Sequence, residues 1–456
     1  MAKEVGRRDV MKMAGAAVAA TVIPMSAEAE LQAKTPKQKG KNTSDLASPK
    51  MDVVRVAVIG VGARGSGHLA QLMQIDGVEV KAVCDNHQPT ADAAKRQTEK
   101  KGKKVDFYTN GELDYKHMLE RDDIDAVFIA TPWKWHTPMA VDAMKSGKHA
   151  FVEVPAAQTI EECWKLVDTS EQTQKHCMMM ENVNYGREEL MVLNMCRMGV
   201  FGDLLHGEAA YIHDLRGQMN EVEHGTGSWR TYEYAKRNGN LYPTHGLGPV
   251  AQYMNINRGD RFDYLSSVSS PAMVRNIYAK EHFPPDHKWN KMNFICGDIN
   301  TTIVKTVLGR SIMIQWDEQL PRPYSRLNFI QGTKGAWGGF PNRFAVEGIT
   351  KSTEDWTEKE ALDEYFAKYE HPLWKRMGEE AVHNGGHGGM DFVMLWRIIY
   401  CLRNGLPLDQ DVYDAAAWSS ITPLSVESVA HRSKSMDIPD FTRGAWKSMK
   451  PLGIVS

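Results

Sequence analysis

The sequence predicts an α/β protein whose first folded domain is a doubly wound parallel sheet, and three observations carry that prediction. A β-branched run, Val53-Val54-Arg55-Val56-Ala57-Val58-Ile59, enters a glycine turn, Gly60-Val61-Gly62-Ala63-Arg64-Gly65, that opens a helical stretch over 66–75. Short apolar runs then alternate with helix-length segments as far as residue 185, as parallel strands joined by crossover helices do. An acid, Asp85, ends the second run, twenty residues past Gly65.

Composition agrees with this reading. A chain of 456 residues suits two domains and a leader. It is 42% hydrophobic and 25% charged, with a net charge of −2 from 55 basic and 57 acidic side chains. That balance supports a large core and rules out both the low hydrophobicity of disorder and the basic excess of a nucleic-acid binder. No apolar run long enough for a membrane span follows residue 50. Cysteines 84, 163, 177, 196, 296 and 401 are scattered without a C-x-x-C, so buried free thiols are expected rather than disulfides or a zinc ribbon.

Residues 1–29 read as a leader. Arg7-Arg8 precedes a short Ala-rich apolar stretch, 13–24, and Ala27-Glu28-Ala29 supplies a small-residue cleavage site. The paired arginines before a weakly apolar stretch resemble a twin-arginine signal, which implies passage of a folded protein through the twin-arginine export machinery to the periplasm or beyond. Lys- and Thr-rich residues 30–50 read as a linker.

The elements follow in order. Over 51–185 the expected strands are 53–59, Val78–Cys84, 126–130, His149–Val152 and 176–181, with helices at 66–75, at the segment ending near Ser146, and at 159–174. The glycines allow a tight turn and close approach of a pyrophosphate to the helix N-terminus. A carboxylate at Asp85 would accept ribose hydroxyls and repel a 2′-phosphate, so NAD is favoured over NADP. Beyond 185, strand-like runs occur at 205–213, 264–275, 301–307, 311–316 and 327–332, with a hairpin at Gly309 and helices at 389–404 and 412–430.

With the Gly-x-Gly-x-x-Gly, the Ala130-Thr131-Pro132…His136 loop and Glu153-x-Pro155 in view, the chain resembles the Gfo/Idh/MocA family of sugar-handling oxidoreductases. The resemblance implies a Rossmann NAD-binding domain over 51–185 and a C-terminal α/β domain over 186–456, whose open, mostly antiparallel sheet carries the sugar site. One departure matters. Dehydrogenases of that family carry Glu-Lys-Pro, whereas this chain has Glu153-Val154-Pro155, and valine moves no proton. Longer segments resemble a subgroup of different chemistry, the NAD-dependent glycosidases of glycoside hydrolase family 109. These are Gly62-Ala63-Arg64-Gly65, Thr131-Pro132-Trp133-Lys134-Trp135-His136, Glu153-Val154-Pro155, Glu181-Asn182-Val183-Asn184-Tyr185, Trp229-Arg230, Tyr242-Pro243-Thr244-His245-Gly246 and Gly385-Gly386-His387-Gly388-Gly389-x-Asp391.

This resemblance implies hydrolysis of terminal N-acetylgalactosamine-containing glycans, the α-anomer favoured. Transient oxidation at C3 acidifies C2–H, the aglycone is eliminated from C1, water adds, and re-reduction restores the sugar, so the cofactor is recycled. It also implies that Arg64, Gly65, Asp85, Trp133, Lys134, Trp135, His136, Glu153, Val154 and Asn182 touch NAD. Tyr211, Arg230, Tyr242, Pro243, Thr244, His245 and Tyr324 would line the sugar site.

The chemistry needs a base at O3 and another at C2. His245 is the candidate for O3, because a neutral imidazole titrates near working pH. Tyr185 is the candidate at C2, provided that neighbours lower its phenol, and Tyr242 could assist either transfer. His387 and Asp391 are as well explained by loop packing and a helix N-terminus as by a site. No metal is expected, because His136 and His149 lack ligand partners at suitable spacing. Two other functions stay open: a periplasmic NAD-dependent sugar oxidoreductase, against which Val154 counts, and a non-catalytic NAD-and-sugar binder. Sheet faces commonly pair in the family, which suggests a homodimer.

Overall fold

The computed structural model describes residues 35–357, 359–451, 453 and 454; the leader read over 1–29 lies outside them. Strands β1 (Val54–Ile59), β2 (Val78–Cys84), β3 (Asp106–Tyr108), β4 (Ala126–Ile129), β5 (His149–Val152) and β6 (Cys177–Met179) form one sheet. Its order is 3-2-1-4-5-6 and every pair is parallel. All residues of β4 and β5 are buried, as the helices covering both faces of a parallel sheet require. The order reverses between β1 and β4, so a crevice opens beyond their carboxyl ends. Strand β3 escapes a reading by periodicity because it is three residues long. The helix that follows β1 spans Ala63–Leu72, beginning inside the glycine turn with Gly62 as its N-cap.

A second sheet contains β7 (Leu204–Ile212), β8 (Phe262–Ser269), β9 (Asn300–Thr306), β10 (Ser311–Asp317), β11 (Phe329–Gly332), β12 (Gly335–Gly338), β13 (Arg343–Val346) and β14 (Met436–Asp437). Its order is 13-12-11-7-10-9-8-14, antiparallel throughout except for β7 beside β10. Gly309, at φ +87°, turns the β9–β10 hairpin. Ile312, Ile314 and Trp316 are buried on one face of β10, while Ile303 on β9 and Tyr264 and Val268 on β8 lie exposed. The run expected over 264–275 ends at Ser269, because Pro271 cannot continue the ladder and a helix starts at Val274.

The final helices return to the first sheet. Met390–Asn404 packs on Ala63–Leu72 and β1, and Val412–Ser419 packs on Ile160–Thr173 and β6. The single helix expected over 412–430 is two, Val412–Ser419 and Ile421–Ala430, broken at Ser420; Pro423 has no N–H and suits the first turn of the second. The segment read as a linker is laid against the body from Lys41, whose N–H donates to the Glu171 carbonyl at 3.1 Å, and Thr43 N–H donates to the Tyr413 hydroxyl at 3.1 Å. Among the described residues no helix is long and apolar enough to cross a membrane, and no group of three His, Cys, Asp or Glu is arranged to hold a metal ion. The six cysteines form no disulfide.

Candidate active site

The crevice beyond β1 and β4 continues into a cavity of about 650 Å³ that reaches β7 of the second sheet. The glycine turn forms its floor. Gly60 has φ +79°, and a Cβ there would lie 2.8 Å from the Ala130 carbonyl oxygen. A Cβ at Gly65 would lie 1.8 Å from the Gly60 carbonyl oxygen, so this glycine serves helix-on-strand packing and does not line the cavity. Gly62 does line it, and a Cβ there would meet nothing within 4 Å. The first-turn N–H groups of Ala63–Leu72 lack intrahelical partners and form an anion seat. At the end of β2, Asp85 accepts the N–H of Val61 and of His87, each at 2.8 Å. Each carboxylate oxygen keeps a lone pair for a hydroxyl donor.

Beneath the turn lies a charge network. Arg64 donates to Glu153 Oε1 at 2.8 Å and forks onto Asp391 at 2.7 and 2.9 Å. His68 Nε2 lies 2.6 Å from Glu153, while His387 Nδ1 and Asn182 Nδ2 lie 2.7 and 2.6 Å from Asp391. Burial opposes charge on both carboxyls. The Arg64 guanidinium, with His68 at Glu153 and His387 at Asp391, outweighs it and holds each well below the usual carboxylate range. Arg64 is thus held by two protein carboxylates, and it and Glu153 still line the cavity. Asp391, open between helix cap and site on sequence grounds, is the post that ties the Gly-rich 385–389 loop to the glycine turn.

After β4, the Trp133–Trp135 turn delivers three lining side chains and His136. Both ring nitrogens of His136 sit 2.7 Å from carbonyl oxygens, of Pro155 and Thr131, and burial pulls its pKa down despite those two acceptors. Lys134 reaches outward to Glu112, 3.7 Å away. Val154 is buried at the cavity wall, and Asn182 Oδ1 is a buried acceptor without a partner. The open pyrophosphate seat, the Asp85 lone pairs and this unpaired acceptor fit a dinucleotide.

The far wall is aromatic and cationic. The Arg230 guanidinium lies 4.8 Å over Trp133 and 4.6 Å over Tyr242, and Nη2 donates to Glu318 at 2.5 Å. Tyr234 donates to the other oxygen of Glu318 at 2.5 Å. Tyr242 stacks on Trp133 at 5.8 Å and leans on Tyr211 at 4.8 Å. Tyr211, Arg230, Tyr242 and His245 all line the cavity. Tyr324 stands edge-on to Tyr211 at 6.2 Å, outside the lining. Pro243 and Thr244 are also outside it; they start the helix Thr244–Tyr253 that presents His245.

Tyr185 is not brought to the cavity. Its hydroxyl is buried against Asp409 at 3.3 Å, and Asp409 is itself held by Arg397 at 2.6 and 2.8 Å. Burial, then Asp409, pushes this phenol well above its ordinary value, so the lowering that a base at C2 needs is reversed. Burial also raises Tyr242, with Arg230 pulling the other way. Two residues that sequence reasoning passed over matter here. Glu181 lies 2.7 Å from His245 Nδ1, and Glu318 neutralises Arg230. Glu181 stands inside a segment noted for its resemblance; nothing local marks Glu318, which follows β10.

Comparison with known proteins places this geometry. Residues 54–181 match the family model described as oxidoreductase family, NAD-binding Rossmann fold. Residues 185–448 match that of the glycosyl hydrolase 109 C-terminal domain. A glycosyl hydrolase family 109 protein of Shewanella sp. (strain W3-18-1) is 62% identical over 455 residues, 98% of each chain. One of Shewanella baltica (strain OS185) is 62% identical over the same share. Among solved structures, levoglucosan dehydrogenase in complex with NADH and levoglucosan aligns at TM-score 0.64 and 18% identity, covering 85% of this chain and 99% of that one. An NAD binding oxidoreductase from Klebsiella pneumoniae aligns at TM-score 0.66 and 14% identity, with the same coverage. These two share the fold. Matched along nearly its whole length at that identity, with its glycine turn and Asp85 set for the nucleotide, this chain belongs to glycosyl hydrolase family 109 and carries an NAD-binding Rossmann domain.

Proposed function

We propose that this enzyme hydrolyses terminal N-acetylgalactosaminides, the α-anomer favoured, by transient oxidation at C3. The observation that carries the reading is the convergence of His245, Tyr242, Tyr211 and Arg230 on one cavity with the nucleotide turn, beside an apolar Val154. When bound, NAD+ supplies the oxidation at C3 and the matching re-reduction, so the overall reaction is hydrolysis without net redox. The glycine turn, Asp85, the Trp133–Trp135 segment and Asn182 would hold it. His245 takes the O3 proton and later returns it. Tyr242, next to His245 in the cavity wall, assists either transfer; burial keeps its phenol protonated, with the Arg230 guanidinium over its ring pulling the other way. Arg230 and Trp133 grip the sugar by a cation and an apolar face, and Tyr211 closes the wall. Tyr185, buried against Asp409 away from the cavity, is given no proton to move.

The same reading takes residues 1–29 as a twin-arginine leader, so that the protein folds around its cofactor before export; fractionation of cells expressing the Arg7→Lys, Arg8→Lys pair tests it. The reaction is tested with purified protein, no added nucleotide, and p-nitrophenyl α-N-acetylgalactosaminide in heavy water. Sugar release with deuterium at C2 is expected. Release of sugar with no isotope effect from C3-deuterated substrate and no deuterium at C2 would overturn the oxidative route. NADH accumulating from free sugars without hydrolysis would make the protein a sugar oxidoreductase.

A further inference from the structure

We propose that Glu181 is a positioning residue. It holds His245 in the tautomer protonated on Nδ1, so that Nε2 is the bare proton acceptor facing the sugar. The inference deepens the reading above and rests on it for the identity of the transferred proton.

Three features lead there. Chain geometry comes first: β6 ends at Met179, and the following turn, Asn182–Tyr185, is capped by Glu181, whose Oε1 accepts the Val183 N–H at 3.2 Å. The same oxygen lies 2.7 Å from His245 Nδ1. An ionised carboxylate has lone pairs and no proton to give, so the hydrogen in a contact of that length belongs to the imidazole.

Charge comes second. Glu181 is 0% exposed, its Oε2 has no hydrogen-bond partner, and among the described residues His245 is its one partner at ion-pair distance. A buried carboxylate so placed favours the donor on Nδ1 and, once Nε2 takes a proton, stabilises the imidazolium; this is the division of labour seen wherever an acid orients a histidine base.

Packing comes third. The helix carrying His245 is seated through glycines. A Cβ at Gly246 would lie 2.3 Å from Ala210 N, and one at Gly248 would lie 2.8 Å from Glu181 Cγ. The His245 ring is held edge-on to Tyr242 at 4.9 Å and to Tyr211 at 5.2 Å, so it has little freedom to turn away from Glu181. Among the described residues two imidazoles line the cavity with an acid behind them; His387 shares Asp391 with Arg64 beside the glycine turn, whereas His245 stands in the aromatic wall, so the His245–Glu181 pair, and not a tyrosine, supplies the base at O3.

The test compares Glu181→Gln with the wild-type holoenzyme. Nitrogen-15 NMR of labelled histidine, with His245 identified by the signal lost in His245→Gln, reports the tautomer in the resting enzyme. The wild type is expected to carry its proton on Nδ1. In Glu181→Gln the amide can donate to Nδ1, moving the proton to Nε2, and kcat should fall by about 10² to 10⁴ while KM and NAD content stay within about twofold. Gly248→Ala alters neither ionisable group but presses on Glu181, and should lower kcat with KM held; it keeps the question answerable if Glu181→Gln folds poorly. A wild-type proton on Nε2 would overturn the proposal, as would an unchanged tautomer and kcat in Glu181→Gln. If no sugar is released by the wild type, the glycosidase reading has failed, and the NMR result still decides the geometry of the pair.

Discussion

Replacing Asp391 by Asn should loosen the enzyme's grip on its nucleotide without touching the nucleotide itself. Asp391 Oδ1 accepts from Arg64 Nη2 at 2.9 Å and Asn182 Nδ2 at 2.6 Å, while Oδ2 lies 2.7 Å from both Arg64 Nη1 and His387 Nδ1. An amide keeps one acceptor and turns the other oxygen into a donor, so Arg64 loses one of its two bonds here in either orientation, and His387 or Asn182 keeps its own only by reversing its donor. Hydrogen bonds to charged groups contribute roughly 1.5–3 kcal/mol each. Arg64 keeps Glu153, and its side chain is 28% exposed, so water recovers part of the loss. A net cost of about 3 kcal/mol is reasonable for a half-rescued buried pair. Were all of it expressed in nucleotide binding, the dissociation constant would rise by roughly 150-fold. Calorimetric titration of nucleotide-stripped protein with NAD+, beside the NAD content of acid extracts after gel filtration, measures this directly. Activity should depend on added NAD+ in the variant and recover when it is supplied. Wild-type affinity and an unchanged melting temperature in Asp391→Asn would refute the idea that this network holds the glycine turn in place.

Three further outcomes are expected. Asp85→Ala should weaken NAD+ binding by tenfold or more and narrow the preference over NADP+, since the carboxylate organises the turn through Val61 and His87 as well as offering lone pairs to a ribose; paired titrations with the two nucleotides check it. Arg230→Leu strands Glu318, a fully buried carboxylate, and should cost about 3–5 kcal/mol of stability on top of lost sugar binding, whereas Arg230→Leu combined with Glu318→Gln should regain most of the stability and none of the activity; chemical denaturation and KM separate the two effects. His371 caps the helix Pro372–Asn384 by accepting the Leu373 N–H, and burial, with Arg197 nearby, holds it down to about 4. Its folded value lies below the unfolded one, so its share of stability is complete above about pH 6.5 and falls away as pH drops toward 4, by on the order of 3 kcal/mol. His371→Asn keeps a capping acceptor without the titration and should flatten the melting curve's pH dependence over that window.

The glycine turn, the acid ending β2 and the strand–helix alternation were legible in the chain because each is local. A tight turn, a helix N-terminus and a buried strand write themselves into neighbouring residues. The missing lysine at Val154 was legible for the same reason. Elements were misjudged where local signals are weak: a three-residue edge strand, a helix pair broken by one serine before a proline, and a strand overrun by apolar residues that belong to the next helix.

The site's partners were another matter. Arg64 meets Asp391 across 327 positions, Arg230 meets Glu318 across 88, and His245 meets Glu181 across 64, and no spacing rule spans such distances. Tyr185 and Tyr242 are alike in sequence, each a tyrosine near a strand end or turn. Folding buries the first against Asp409 and Arg397 and sets the second beneath Arg230 at the cavity wall. The sequence by itself determined which cofactor the crevice is built for, because nucleotide binding uses backbone shape and one carboxylate that short segments encode. Only the tertiary structure decided which side chains hold charge and which can move a proton, because burial and charge pairing arise when distant segments close on one another.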